Sequence, residues 1–318
     1  MTGFQGQYKP QFYTIDPTKP FDESLKDITD LVILAHADDA EIVAADKIAQ
    51  CQKDPTRKLG VIIVTDGQGA ARKGKYADFT NKQLADERVQ EQVSAAIDGK
   101  FEFLAMLGQP DLVEHPIDSE QSTRDIYAIV SKCPKLESVI THNPFDRHPA
   151  HLGVLNATLG ALKMLPPEAQ ANIKELRGSE VWGEVSWVGN PWLKKITLSK
   201  KEMDMQARLL GHHQSQTEGA KAYVPGVSAR EVSRMVFEIP RLTTGEFAGV
   251  MLAVDMNSLI GDKAITLEQF ADNVLEEHAN RMRGNARKHE PHPPTDIEAE
   301  TKIAAAFPDR ISRIAVRS

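Results

Sequence analysis

"DLVILAHADDAEIVAADKIAQCQKDPTRKLGVIIVTDGQG", residues 30–69, decides the fold. Two apolar runs, DLVIL and LGVIIV, flank a stretch with helical spacing. Each run is too continuous for a half-exposed strand and too short for a helix. That is the pattern of a parallel strand buried on both faces. The glycine turn DGQG closes the second run.

The rhythm continues downstream. NKQLADERVQEQVSAAID reads as a helix, KFEFLAML as a strand and DSEQSTRDIYAIVSKC as a helix. LESVITHN is then a fourth strand and PAHLGVLNATLGALKML a helix. The alternation predicts an α/β fold: a Rossmann-like, mostly parallel sheet with helices on both faces. In such sheets ligands bind beyond the carboxyl ends of the strands.

The flanks are less regular. Residues 1–28, rich in Pro, Gln and Tyr, are expected to form an irregular arm. After residue 165, SEVWGEVSWVG and WLKKITLS look like strands and KKEMDMQARLLGHHQSQ like a helix. Residues 262–288 predict a long amphipathic helix, with Thr266 and Gln269 as a weak capping box. The main domain is expected over 29–260, followed over 261–318 by a helical extension and a polar tail. Beyond about residue 220 no functional motif is legible.

Composition narrows the classes. The chain has 318 residues, 41% hydrophobic, which is enough for a sizeable core and too apolar for disorder. A net charge of −7 argues against nucleic acid as the main partner, because phosphate binding needs a basic face. The N-terminus has no apolar h-region, so no signal peptide is expected. No run approaches the length of a membrane span. Cys51 and Cys133 give no disulfide framework and read as buried free thiols, which suits a reducing cytoplasm.

Two loops carry the chemistry. After the first strand comes AHADDAE, residues 35–41, with His36, Asp38 and Asp39. After the fourth comes THNPFDRHPAHLGV, residues 141–154. Pro149 suits the first position of a helix, which makes His148 its N-cap and puts His151 in its first turn. Either loop alone is weak, since an Asp pair commonly complements a helix N-terminus. Both, however, lie at carboxyl ends of predicted strands and can face one crevice. Two imidazoles and a carboxylate leave a position open for water, the ligand set of a catalytic zinc site. His36 and Asp39 would join the histidines of the second loop. Zinc suits this set, and Fe2+, cobalt or another divalent metal is admissible.

These motifs resemble those of the LmbE-like or PIG-L family of zinc-dependent N-acetylglucosaminyl deacetylases. The family's A-H-P-D-D-x-E stands here as Ala35, His36, Ala37, Asp38, Asp39, Ala40 and Glu41. Its H-P-D-H stands as His148, Pro149, Ala150 and His151. VTDGQG resembles its T-x-G turn. DERVQEQVSAAI resembles its arginine helix, with Arg88 and Glu91 at matching positions. LGQPD, ending at Asp111, and HHQSQ, residues 212–216, resemble two further elements. The resemblance covers roughly 30–216. Ala37 and Ala150 depart from it. A carboxylate at 150 could orient a histidine, and Asp146 is a candidate substitute.

The resemblance implies zinc on His36, Asp39 and His151, with Asp38 as general base and a protonated His148 as donor to the oxyanion. Arg88 and Asp111 become candidates for sugar hydroxyls. Glu41 is expected to brace the helix start. The implied substrate is a small-molecule amide, an N-acetylglucosamine-type sugar or conjugate, with no nucleic-acid partner and with a homo-oligomer open. The alternatives are another metal-dependent amidase, acting on a sugar–thiol or acylated natural product, and a non-catalytic sugar- or metal-binding relative. Trp182, Trp187 and Trp192 read as core before sugar platforms. ARKGKY, residues 71–76, reads as a solvated loop before an anion site. His212 and His213 close a helix, with one of them a possible pocket residue. His142 is not expected to act, and His289 and His292 are expected to bind nothing.

Overall fold

The computed structural model describes residues 9–111, 117–218, 223–238 and 248–289. The chain falls into two compact units, Met1–Val274 and Leu275–Ser318. The sheet belongs to the first. In chain order its strands are β1 (Gln11–Thr14), β2 (Asp30–Leu34), β3 (Leu59–Thr65), β4 (Phe103–Gln109), β5 (Ser138–His142), β6 (Glu175–Ser179), β7 (Leu193–Leu198) and β8 (Gly249–Asp255). The helices are α1 (Phe21–Leu25), α2 (Asp39–Val43), α3 (Ala45–Lys53), α4 (Asn81–Gly99), α5 (Ser119–Val130), α6 (Pro149–Lys163), α7 (Pro167–Asn172), α8 (Lys200–Leu210), α9 (Gln214–Thr217), α10 (Tyr223–Glu238) and α11 (Leu267–His289).

The spatial order is β1-β4-β3-β2-β5-β6-β8-β7. The central run β4-β3-β2-β5-β6 is parallel. The pairs β1–β4, β6–β8 and β7–β8 are antiparallel. The sheet is therefore mostly parallel with antiparallel edges. Burial explains its centre: every residue of β2, β3 and β5 is buried. Successive side chains feed two cores. Leu31 and Ile33 pack on one face with α5 and α6, through Ile126, Ile129 and Val154. Val32 and Leu34 pack on the other with α3, α4 and α8, through Ile48, Val89 and Leu209. The chain leaves β2 for β3 on one side and later places β5 on the other. The crevice beyond the carboxyl ends of β2 and β5 is thus a topological switch point, where open α/β sheets bind ligands.

Several expectations are corrected. The N-terminal stretch is not irregular throughout: β1 pairs with β4, and Phe12 and Phe21 pack with ring centroids 4.7 Å apart. The strand expected at SEVWGEVSWVG lies earlier, as β6 over ELRGS, and residues 180–192 are turns and bends. Its central Arg177 is fully buried and donates through both Nη atoms, at 2.8 Å each, to Asp46 on α3. The single helix expected after β2 breaks at Ala44. There the carbonyls of Ile42 and Val43 accept from Gln206 at 3.2 Å and Arg177 at 3.4 Å, which replaces part of the lost helical ladder. β8 and α10 fill the stretch that was unread. α11 starts at Leu267, five residues later than expected. The Thr266–Gln269 capping box is present, with bonds of 2.9 and 3.1 Å. Phe270 and Val274, near the start of this helix, are buried in the core of the first unit. The polar tail after residue 289 lies outside the described residues.

Cys51 and Cys133 are free, and burial pushes both thiols up to about 12. No helix among the described residues is long and apolar enough to cross a membrane.

One buried acid makes stability pH-dependent. Glu231 on α10 is fully buried. Its Oε1 accepts from Gln206 at 3.0 Å and its Oε2 has no partner. Burial raises its pKa from 4.5 to about 7, against Gln206, Arg230 and Arg234. Below pH 4.5 the carboxyl is neutral in both states. Between 4.5 and about 7 only the unfolded chain ionises, so stability falls as pH rises. Glu231→Gln removes that loss. It should leave the melting temperature near pH 4.5 almost unchanged and raise stability at pH 8 by up to about 3 kcal/mol. Melting curves across pH test this, and an equal gain at both pH values would contradict it.

Candidate metal centre

The site is built on the two loops at the switch point. β2 ends at Leu34 and α2 begins at Asp39, so His36, Asp38 and Asp39 sit in a tight connection. Asp38 takes a left-handed conformation, φ 96°, that L-residues rarely adopt. β5 ends at His142, and Pro149 opens α6 as expected, with His148 at the N-cap position but making no side-chain cap.

Three donor atoms converge. His36 Nδ1 is 3.2 Å from His151 Nε2 and 3.4 Å from Asp39 Oδ2, which lies 3.6 Å from His151 Nε2. Metal–ligand bonds of ~2.0–2.1 Å in a tetrahedral site set donors about 3.3 Å apart, so this triangle fits one small divalent cation. His148 joins His36 and His151 in a second grouping, and Asp39, His142 and His151 form a third. His142 is excluded as a ligand by its own bond. Its Nε2 accepts from the Ala35 N–H at 2.9 Å, so that lone pair is occupied. Its ring stacks on His151, centroids 3.8 Å apart, and braces that ring instead.

Each histidine of the triangle is backed by a carboxylate. His151 Nδ1 is 3.1 Å from Asp146 Oδ2, and His36 Nε2 is 3.3 Å from Asp111 Oδ2. Such partners fix the tautomer and leave the other nitrogen bare for a metal. Asp146 also accepts from the backbone N–H of His148 at 2.9 Å and of Trp182 at 3.2 Å. It faces His151, in the place expected of a carboxylate at 150.

The carboxylates and imidazoles of the cluster shift one another. Burial lowers the His36 pKa, but Asp111 and Asp39 outweigh it and push it up to about 9. Burial raises Asp39, but His151 and His36 hold it far below the usual carboxylate range. For Asp111 too burial works upward, and His36 brings it below its ordinary value. Burial raises Asp38; Arg88 opposes this and Asp39 adds to it. His148 goes the other way: burial, with His36 and His151 beside it, lowers it to about 4. These neighbours favour a neutral His148 ring, still able to donate one N–H.

Arg88 and Asp111 line the cavity but also engage the site itself. Arg88 Nη2 donates to Ala37 O at 2.6 Å and lies 3.5 Å from Asp38 Oδ2. Glu41 does not cap α2. It accepts from Gln92 at 2.9 Å and sits 3.3 Å from His213 Nε2, tying α2 to α4 and to the α8–α9 junction. Glu91 accepts from Ser215 N and Oγ, both at 2.6 Å. His212 pairs with Asp98 at 3.0 Å, away from the triangle. Trp187 stacks edge-on with Phe145 and Trp192 with Phe270, as core residues do. Trp182 differs: it is 45% exposed and lines the cavity. In the 71–76 loop, Ala71 lines the cavity, while Arg72 donates to Gln68 O and Lys75 to Gln214, at 3.0 and 2.9 Å.

The cavity holds about 170 Å³ and opens onto His36, Asp38, Asp39 and His148. Gly67 shapes it indirectly. Its φ is +63°, and a Cβ there would lie 2.7 Å from Arg88 Nε. Gly67→Ala should cost about 1–2 kcal/mol for the backbone alone and displace Arg88 from Asp38. A melting temperature equal to that of the parent chain would contradict this.

Residues 31–162 match the family model described as PIG-L: GlcNAc-PI de-N-acetylase. No curated protein matches the chain. Among solved structures, a conserved protein of Thermus thermophilus aligns at 17% identity and TM-score 0.52, over 72% of this chain and 94% of that one. The 4-carboxy-2-hydroxymuconate hydratase of Pseudomonas putida aligns at 14% and 0.53, over 71% and 95%. The N,N'-diacetylchitobiose deacetylase of Pyrococcus horikoshii aligns at 17% and 0.51, over 72% and 85%. At these identities the likeness is one of fold.

Proposed function

We propose that this chain, which carries a PIG-L family domain over residues 31–162, is a zinc-dependent N-deacetylase of N-acetylglucosamine-type sugars or conjugates. One observation carries the reading: His36 Nδ1, Asp39 Oδ2 and His151 Nε2 converge, with His36, Asp39 and neighbouring Asp38 lining a cavity. The same fold serves a hydratase in Pseudomonas putida, so the site and the family domain, not the fold, support a deacetylase.

His36, Asp39 and His151 would hold the metal. Bound there, zinc would polarise the amide carbonyl and lower the pKa of water toward ~7. Asp38 stands outside the triangle, so its carboxylate is available to take the proton from the attacking water. The same proton then passes to the departing nitrogen as the C–N bond breaks, giving acetate and a free amine. Neutral His148 donates a ring N–H to the carbonyl oxygen as charge develops there. Arg88 keeps the Asp38 carboxylate aimed at the cavity. A volume of about 170 Å³ is small beside the ~300–1,000 Å³ of pockets that enclose whole ligands. It suits an acetyl group with part of a sugar, leaving the rest of a conjugate outside, past Trp182. Cytoplasmic placement agrees with two inert free thiols.

The test is paired. Metal is quantified in the purified protein, and acetate release is assayed over a panel of N-acetylglucosamine conjugates. About one zinc per chain with acetate release supports the reading. Metal without release from any conjugate favours another amide or a non-catalytic binder. Protein that takes up no metal when supplied with zinc refutes the site.

A further inference from the structure

Asp38 occupies a conformation that glycine adopts freely and aspartate does not, so neighbouring groups must hold it there. Its own helix offers little. Asp38 makes no side-chain cap on α2, and the bond from Ile42 N–H to its carbonyl is long, 3.4 Å. Arg88 holds the preceding carbonyl and the carboxylate. The Asp38 N–H is taken by a different residue, Gln92, whose Oε1 accepts it at 3.2 Å.

Gln92 lies on α4, fully buried, and lines no part of the cavity. Its orientation is dictated by chemistry. The Glu41 carboxylate can only accept, so Gln92 Nε2 must face it, at 2.9 Å. That turns Oε1 toward Asp38. Glu41 is itself fixed against His213 at 3.3 Å. The amide therefore spans the turn, anchored on residue 41 and gripping residue 38.

We propose that Gln92 is a positioning residue: by accepting the Asp38 N–H while anchored on Glu41, it keeps Asp38 in the left-handed conformation that presents its carboxylate to the cavity. This rests on the reading of Asp38 as general base. It adds that the base is held by its backbone as well as by Arg88.

Gln92→Leu is close in volume and removes both bonds. It should lower kcat by about tenfold or more, with KM and metal content within about twofold of the parent protein. In metal-free crystals of the variant, φ of Asp38 should leave the left-handed region. Parent-like kcat together with an unchanged Asp38 φ would overturn the proposal. A second pair keeps the test open if Gln92→Leu fails to fold. Gln92→Glu sets two carboxylates against each other and should lose kcat. Adding Glu41→Gln restores a donor opposite an acceptor, and kcat should recover. A double variant no faster than Gln92→Glu alone would refute the idea. If the parent protein hydrolyses no amide, the proposed function fails, while the Asp38 φ in the crystals still decides the positioning role.

Discussion

Asp38→Asn should lower acetate release by about 10²–10⁴-fold, the usual contribution of a positioned general acid–base, and leave metal content unchanged. Asn is isosteric and tolerates left-handed backbone, so the turn should persist. Asp38 contributes no atom to the His36–Asp39–His151 triangle. What disappears is the proton acceptor and the charge facing Arg88 at 3.5 Å. Burial is the main cause of the raised Asp38 pKa, so the native carboxylate costs the fold some stability. The variant should therefore melt at or above the parent temperature while losing activity, the expected trade at a catalytic carboxylate. Metal analysis and the acetate assay on the same sample separate the outcomes. Lost metal would make Asp38 a ligand, and retained turnover would place the base elsewhere.

The parts of the fold that were legible in sequence are those where burial acts on whole runs. β2, β3 and β5 are buried end to end because both faces are covered, and in β2 and β3 this leaves the apolar runs DLVIL and LGVIIV. β6 was hidden because its centre is Arg177. A charge is buried there only because Asp46, far away in sequence, meets it with two bonds of 2.8 Å. VWGEVSWVG alternates like a strand, yet Val185, Trp187 and Val188 pack from a loop. β8, GVMLAVD, is buried along almost its whole length like β2, and it went unread although its apolar run carries the same signal. The site divides in the same way. The motif places His36, Asp39 and His151 through local spacing at two strand ends. The Asp146–His151 and Asp111–His36 pairs, the stacking of His142 and the grip of Gln92 arise from tertiary contact and leave no periodic trace. Asp111 and Arg88 line the cavity. Their contacts with His36 and Asp38 follow from geometry that spacing does not encode.

Asp146→Ala should weaken metal binding by about 10–100-fold, the typical effect of losing a partner that orients a ligand histidine. Ala150 stands where a carboxylate was expected, and it is buried beside the apolar core. The carboxylate comes instead from the loop before the helix. Asp146 Oδ2 faces His151 Nδ1 at 3.1 Å, and Asp146 accepts two backbone N–H groups as well. Its pKa shows how firmly the charge is held. Burial pulls the carboxyl upward, but His151 and those backbone donors keep it well below the usual range. Without Asp146, the proton on His151 is no longer pinned to Nδ1, and the nitrogen facing Asp39 is bare only part of the time. Asp146→Asn should fall between the two. An amide keeps one oxygen for these donors but carries no charge, and its NH2 must face at least one of them. Competition against a chelator of known affinity measures the effect, with Asp111→Ala as the matched loss behind His36. Comparable weakening in both alanine variants would mean that the two carboxylate–histidine pairs share the work. Unchanged affinity in Asp146→Ala would mean that His142, stacked at 3.8 Å, orients His151 without help.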